Sequence, residues 1–387
     1  MTTIHSRPKL LFGILCLAFI LVCCGDSKPP NSSISIGKIE TIQSEILNEE
    51  RTVWVHVPEN DNRNASIRYP VLYLMDGDAH FKSVVGLMHQ LSSVNGNMFC
   101  PKMVVVAILN TNRGRDLTPS ADESQQADSK AKENSGGGEL FTGFIADELI
   151  PYIDKNYPTT NQRTLVGHSL GGLMVINTMV KHGELFDKYL AIDPSLWWND
   201  GKSLLEYQQA LRTNSFKGKS LFIGIANTIS MDTLSAQQDT TTNTSHYRAI
   251  VQFINALKGT PNHELDWQAK YYPDESHGSV ALISEYDAFR FLYRKVPVQV
   301  AFAQLKKYEG KYSHRFPEGE SFLNVVAKVN LLGITESWRN IEMQFRPIGD
   351  RNFYSFEEKF SMRFNLNDDG EVVELVAFEN DVWTKVE

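Results

Sequence analysis

The feature that most constrains the fold is an alternation of apolar, strand-like runs and helix-like segments that extends from residue 71 to residue 293. Its first member, 71–75, is continuously apolar, which is typical of a strand buried on both faces. Segments with apolar residues at helical spacing follow such runs, for example at 81–91, 140–156 and 170–181. Repeated alternation of this kind predicts a mostly parallel sheet with helices on both faces. Functional residues are then expected just beyond the carboxyl ends of the strands.

Residues 297–387 do not continue this alternation. Their short apolar stretches are typical of strands, and the dipeptide Asp369-Gly370 is a hairpin turn signal between two of them. We therefore predict an α/β domain over residues 37–296, followed by a small antiparallel β domain over residues 297–387.

The first residues have the pattern of a secretory signal. Arg7 and Lys9 precede an apolar run at 10–22, which is 13 residues long, whereas a membrane-spanning helix needs about 20. A short apolar run with a basic flank is typical of a signal peptide, which we assign to residues 1–23.

The end of the apolar run resembles the bacterial lipoprotein cleavage box, in which a cysteine becomes the lipid-modified first residue. Cys24 is the favoured cysteine and Cys23 is the alternative, and a plain secretory signal with incidental cysteines is the remaining interpretation. The polar stretch at 24–36 would then be a tether. The sequence thus predicts a lipoprotein held in a membrane of the cell envelope, on the periplasmic or outer-membrane side.

Composition excludes several classes of protein. The net charge is −8 and the chain has no stretch rich in lysine and arginine, so we expect no binding to nucleic acid through its phosphates. Four cysteines are too few for a disulfide scaffold. We find no His/Cys/Glu cluster with metal-ligand spacing and no phosphate-binding glycine loop, so we expect neither a metal nor an organic cofactor.

The segment 167–171 reads Gly-His-Ser-Leu-Gly and matches the G-x-S-x-G motif. A strand-like run leads into it and the helical segment 170–181 leaves it, which is the strand–turn–helix context of a nucleophile elbow. Such a turn exposes the Ser169 hydroxyl beside a helix N-terminus, whose dipole favours developing negative charge. We predict that Ser169 is the nucleophile of an α/β-hydrolase fold; a glycine-rich packing turn is the alternative.

A serine hydroxyl needs a base, and this fold supplies acid and histidine later in the chain. Of the later histidines, His277 alone lies just past the last strand and before the last helix, so we predict that it is the general base. The acid is expected after the preceding strand, where Asp232 is the first carboxylate and Asp239 the second. Asp193, which follows an earlier strand, is the third choice. The acid would orient the imidazole and stabilise its cation.

The oxyanion hole requires two backbone N–H groups. One is expected from Leu170, the residue after the nucleophile, and the other from the loop after the strand at 71–75. We favour the N–H of Asp78, because Gly77 would let the chain turn tightly enough to point it inward.

The chain resembles the Putative esterase family of α/β hydrolases, which includes enterobactin-type siderophore esterases, feruloyl esterases, S-formylglutathione hydrolases and mycolyltransferases. The resemblance covers roughly residues 37–295, and besides the elbow it is carried by stretches at 69–77, 113–119, 148–153, 193–198 and 277–280. It implies Ser169 as nucleophile and His277 as base. In the mycolyltransferase branch the acid is a glutamate at a position that matches Asp232, and the second oxyanion N–H follows an Asp-Gly pair, which favours Asp78.

The siderophore-esterase branch suggests substrate contacts in a polar insertion over residues 111–139. Its similarity implies that Arg113 and Arg115 meet an acidic or phenolic substrate; bracing of the loop through Asp116 or backbone carbonyls is the alternative. The insertion itself is interpreted as a long exposed loop, either a lid or an inert surface segment.

Trp197 and the adjacent Trp198 complete the set of candidate site residues. We interpret Trp197 as the wall of an acyl or aryl pocket, and the alternative for either tryptophan is a place in the core.

These predictions favour an envelope-anchored serine esterase that acts on a small-molecule ester through an acyl-enzyme. Two rival hypotheses remain. One is an acyltransferase with the same residues, in which an alcohol replaces water. The other is a catalytically inactive surface binding protein on a hydrolase scaffold.

Overall fold

The computed structural model describes residues 34–59, 67–94, 97–124, 129–338, 341–378 and 381–386. The predicted signal peptide, Cys24 and most of the predicted tether lie outside the described residues. Within the described residues, no helix combines the length and apolar character needed to cross a membrane.

A central sheet of eight strands has the order β1-β2-β4-β3-β5-β6-β7-β8. The contacts β1–β2 and β2–β4 are antiparallel, and every contact from β4 to β8 is parallel. The strands are β1 (Lys38–Ser44), β2 (Glu49–His56), β3 (Tyr69–Leu74), β4 (Val104–Ile108), β5 (Thr159–His168), β6 (Lys188–Ile192), β7 (Ser220–Ala226) and β8 (Asp266–Tyr272).

Eleven α-helices accompany the strands in the described part of the chain. They are α1 (Gly77–Ser92), α2 (Arg113–Asp116), α3 (Ser129–Glu133), α4 (Gly138–Gly143), α5 (Ile150–Asn156), α6 (Leu170–Lys181), α7 (Lys202–Thr213), α8 (Thr233–Gln238), α9 (Ser245–Gly259), α10 (Val280–Leu292) and α11 (Phe302–Leu305). A π-helical segment, Phe144–Leu149, joins α4 to α5.

Both faces of the central parallel strands β3, β4, β6 and β7 are buried, which confirms the interpretation of their apolar runs. In β4, Val104 and Val106 belong to the apolar cluster on one face, whereas Val105 and Ala107 belong to the cluster on the other. All four are fully buried. Each fully buried valine contributes roughly 1.5–3 kcal/mol to folding, so burial on both faces holds this strand in the middle of the sheet.

The insertion at 111–139 differs from the predicted exposed loop. It contains the short helices α2 and α3, and Asp116, Leu117 and Thr118 are buried. The cause is an ion pair that the sequence did not indicate: the buried guanidinium of Arg51 donates to Asp116 Oδ2 at 2.6 Å and draws this part of the insertion against the sheet.

The C-terminal strands form a closed antiparallel barrel, in which β9 pairs with both β10 and β16. Inward side chains alternate with exposed ones. In β12, for example, Met343 and Phe345 are buried and their neighbours in the strand are exposed. The prediction of an α/β fold with a C-terminal antiparallel β part is confirmed. The strands are β9 (Gly310–Phe316), β10 (Gly319–Lys328), β11 (Leu331–Glu336), β12 (Glu342–Pro347), β13 (Asn352–Tyr354), β14 (Ser361–Leu366), β15 (Val372–Ala377) and β16 (Asp381–Lys385).

Candidate active site

Ser169 is the single residue that connects the end of β5 to the start of α6, and its backbone has φ 60° and ψ −117°. A positive φ is strained for a residue with a side chain and persists only where its surroundings enforce it. Gly167 makes the turn possible, because a Cβ at this position would lie 2.4 Å from the backbone carbonyl carbon of Gly171. The Ser169 N–H donates to the carbonyl of Ile192 at the end of β6, at 2.9 Å, which ties the elbow to the neighbouring strand.

His277 lies between β8 and α10, and its two ring nitrogens face two different partners. Nε2 is 3.0 Å from Ser169 Oγ, and Nδ1 is 2.5 Å from Asp193 Oδ2. A carboxylate only accepts, so Nδ1 carries the proton and Nε2 is left to accept from the serine hydroxyl. Ser169 and His277, which are far apart in the sequence, are thus brought together as the sequence predicts.

Asp193 is the carboxylate at His277. It follows β6 directly and is fully buried. Its Oδ1 accepts from the N–H of Ala226 at 3.0 Å. Its Oδ2 accepts from His277 Nδ1, as described above, and from His246 Nε2 at 2.9 Å. Burial by itself raises the pKa of Asp193, but the hydrogen bonds from His246 and His277 outweigh it and hold the pKa well below its usual value. The group is therefore an anion that faces two imidazoles.

Asp232, the carboxylate favoured from the sequence, is not at His277, and its predicted placement is wrong. It is exposed and caps α8: its Oδ1 accepts hydrogen bonds from the N–H groups of Leu234 and Ser235, both at 3.0 Å.

Asp239, the second choice, accepts hydrogen bonds from the hydroxyls of Thr241 and Thr244 instead. Both carboxylates are thus held by local capping and turn hydrogen bonds, and the third choice, Asp193, occupies the position.

No direct signal in the sequence pointed to His246, which lies in the first turn of α9. Its ring meets the His277 ring edge-on, with centroids 5.3 Å apart. Ligand atoms of Asp193, His246 and His277 lie within 4.8 Å of one another and could hold a metal ion. The mutual hydrogen bonds of the three groups already explain why they converge.

The two residues predicted for the oxyanion hole lie at the N-termini of two helices that start at neighbouring strand ends. Leu170 is the first residue of α6 and Asp78 is the second of α1. N–H groups in the first turn of a helix have no acceptor within that helix, so both remain available to a ligand. The residue with positive φ is Asp76 at 53°, whereas Gly77 is required because a Cβ there would lie 2.7 Å from Ala107 Cβ. Contact of these N–H groups with substrate remains a prediction.

Arg113 and Arg115 are both engaged by carboxylates of the protein. Arg113 forms a two-pronged ion pair with Asp76, at 2.6 and 2.9 Å, and its Nη2 also lies 3.3 Å from the carbonyl of His168. It thereby braces both loops that carry the predicted oxyanion donors.

Each of the three guanidinium nitrogens of Arg115 donates to Glu49 or Asp116. The bracing alternative, not the predicted substrate contact, therefore describes the observed contacts of Arg115.

Trp197 and Trp198 differ in their surroundings. Trp198 is partly buried, and its Nε1 donates to the carbonyl of Ser120 at 3.1 Å, which attaches the insertion to this loop. Trp197 is 42% exposed. It lies four residues after Asp193, so it remains the candidate for a pocket wall and Trp198 is structural.

Behind His277 lie two ionisable side chains, the half-buried His168 and the fully buried Glu285. His168 Nε2 is 2.8 Å from the carbonyl oxygen of His277. Burial, aided by the nearby His277, lowers the pKa of His168 to about 4, so its ring is neutral and donates Nε2–H to that carbonyl. Further in, Glu285 is fully buried: its Oε1 lies 3.6 Å from His80 Nδ1, neither of its carboxyl oxygens makes a hydrogen bond, and burial raises its pKa to about 8.

We expect Glu285→Leu to stabilise the protein at alkaline pH. The pKa of Glu285 is raised in the folded state, so its ionisation destabilises the fold. This loss of stability is absent below about pH 4.5, grows as pH rises and is complete above about pH 8. Urea unfolding should show that the stability advantage of the variant over wild type grows by on the order of 4 kcal/mol between pH 5 and pH 8. Glu184→Leu, at an exposed position, should follow wild type. An advantage that is the same at both pH values would contradict the assignment.

This fold and this site define the chain as an α/β hydrolase with serine, histidine and aspartate in hydrogen-bond contact at the carboxyl edge of its parallel strands. Residues 44–273 match the family described as Putative esterase, and the chain belongs to this family, which confirms the resemblance drawn from the sequence.

Similar proteins carry esterase names. Ferri-bacillibactin esterase BesA of Bacillus subtilis is 30% identical over 39% of this chain and 56% of its own length. The siderophore enterobactin esterase of Emericella nidulans is 30% identical over 35% of this chain and 49% of its own. The chain thus spans about half the length of these curated relatives. An IroE-like serine hydrolase from Shewanella oneidensis has a solved structure that is 30% identical, with a TM-score of 0.62 over 70% of this chain and 84% of that one.

Proposed function

We propose that this protein is a serine esterase that cleaves a carboxylic ester through an acyl-enzyme. The observation that carries the proposal is the unbroken series of hydrogen bonds from Ser169 Oγ through both nitrogens of His277 to Asp193. Membership of the esterase family supports the same chemistry.

We assign one group of this chain to each step of the proposed reaction. As Ser169 Oγ attacks the ester carbonyl, its proton passes to His277 Nε2, and the N–H groups of Leu170 and Asp78 stabilise the oxyanion. The imidazolium returns this proton to the departing alcohol, which leaves the acyl group on Ser169. Water then gives a proton to His277 and attacks the acyl carbonyl, and the acid product departs as Ser169 recovers its proton. Asp193 stays ionised and holds Nδ1–H throughout.

The proposed substrate is a small-molecule ester. Relatives named as siderophore esterases suggest esters of that class as the first candidates. The exposed ring of Trp197 offers an apolar wall for an acyl or aryl group. A panel of aryl, alkyl and siderophore esters, assayed with purified protein, tests this proposal. Release of acid and alcohol from at least one class supports it, whereas no turnover of any class together with no active-site labelling favours the binding-protein hypothesis.

The acyltransferase hypothesis predicts different products from the same acyl-enzyme. Chromatography of reactions with and without a sugar or alcohol acceptor separates the two activities. Free acid that is unchanged by acceptor indicates hydrolysis, and a new ester that forms at the expense of free acid indicates transfer.

Anchoring through Cys24 is part of the proposal and rests on the sequence around it. Expression in bacteria fed a labelled fatty acid should give a labelled protein in the membrane fraction. Cys24→Ala should lose the label and Cys23→Ala, the matched control, should keep it. The reverse pattern would move the anchor to Cys23, and an unlabelled wild type would leave a plain secretory signal.

A further inference from the structure

A second serine hydroxyl contacts the proposed nucleophile. Ser195 Oγ lies 3.2 Å from Ser169 Oγ, and the Ser195 N–H donates to the Ser169 carbonyl at 3.0 Å. Ser195 is 3% exposed and follows Asp193 by two residues. One short loop after β6 therefore supplies both the carboxylate at His277 and a hydroxyl at the nucleophile.

The direction of the hydroxyl contact follows from the other hydrogen bonds. His277 Nδ1 donates to Asp193, so His277 Nε2 accepts the proton of Ser169. Ser169 Oγ then offers a lone pair and no proton to Ser195. In the part of the chain that the structure describes, Ser169 Oγ is the hydrogen-bond partner of Ser195 Oγ, and a buried hydroxyl that fails to donate is costly. Ser195 is thus the donor.

Building on the proposed esterase activity, we propose that Ser195 is a further catalytic residue. Its O–H donates to Ser169 Oγ, holds that oxygen in line between His277 and the substrate, and stabilises the negative charge that Oγ acquires as its proton leaves. The same bond acts again in deacylation, when Oγ departs from the acyl carbon. Ser195 keeps its own proton throughout, so it forms and breaks no covalent bond.

The substitution Ser195→Ala removes the hydroxyl and leaves the backbone bond to Ser169 in place. A hydrogen bond to a group that develops charge is worth about 1.5–3 kcal/mol, which corresponds to roughly a 10- to 160-fold loss. We expect kcat, and the second-order rate constant for labelling of Ser169 by a fluorophosphonate, to fall by this factor while KM changes little. A purely structural role would change thermal stability or KM instead.

Two further variants complete the test. Ser203→Ala removes another buried serine hydroxyl in the following segment and should label at the wild-type rate. Ser195→Cys keeps a donor of similar size but weaker strength and should label at an intermediate rate, which tests the proposal if the alanine variant does not fold.

The outcomes separate this inference from the esterase proposal. Wild-type labelling rates in Ser195→Ala or in Ser195→Cys would overturn the role of Ser195 alone. Absence of labelling in the wild-type protein would instead overturn the esterase proposal on which it rests.

Discussion

Replacing Ser169 with alanine is expected to reduce kcat on the order of 10⁶-fold and to abolish labelling by a fluorophosphonate. The attacking oxygen is lost, while the elbow backbone, its strained φ and the predicted oxyanion donors stay in place. The residual rate should be that of a solvent water aided only by binding and by the N–H groups. Ser215→Ala, which removes an exposed hydroxyl, should have wild-type kinetics.

His277→Ala should cost nearly as much, because Ser169 is a weak nucleophile without a base. The two residues act as a unit, so the double variant should lose no more activity than the worse single variant. Thermal unfolding of each variant shows whether the loss comes from chemistry or from misfolding. Hydrolysis by pure Ser169→Ala within 100-fold of the wild-type rate would exclude Ser169 as the nucleophile.

Features determined by local sequence could be predicted, and features determined by long-range contacts could not. The parallel sheet follows from apolar runs such as 71–75, because a strand buried on both faces leaves a continuous signal. The elbow and His277 follow from their places at strand ends. Closure of the barrel depends on the pairing of β9 with β16, whose residues are far apart in the chain, and nothing in either strand specifies that partner.

The roles of the carboxylates and arginines also depend on contacts that the sequence does not reveal. Assigning Asp232 assumed that the first carboxylate after β7 turns towards the site, although Asp232 directly precedes a short helix and is a favourable N-cap. That local signal competed with the topological rule and outweighed it. The partner of Arg113 is Asp76, 37 positions away, so its bracing role appears only when the two loops are folded side by side.

The choice between Asp193 and Asp232 gives the second large prediction. Asp193→Asn should lower kcat on the order of 10⁴-fold. Asp193 Oδ2 accepts from both His277 and His246, and the neutral amide would remove the charge that stabilises the His277 cation. An amide can also present its NH₂ group to Nδ1, which would favour the tautomer that blocks Nε2 from taking the serine proton.

Asp232→Asn is the matched control, because it makes the same chemical change at the other carboxylate. Asparagine is as good an N-cap as aspartate, so α8 should keep its start and kcat should stay within a few-fold of wild type. Steady-state kinetics at neutral pH, with circular dichroism to check folding, distinguishes the two sites. A loss at Asp232→Asn as large as that expected for Asp193→Asn would mean that α8 moves during the reaction and brings Asp232 to His277. Equal and small losses at both positions would leave a serine–histidine pair that works without a carboxylate.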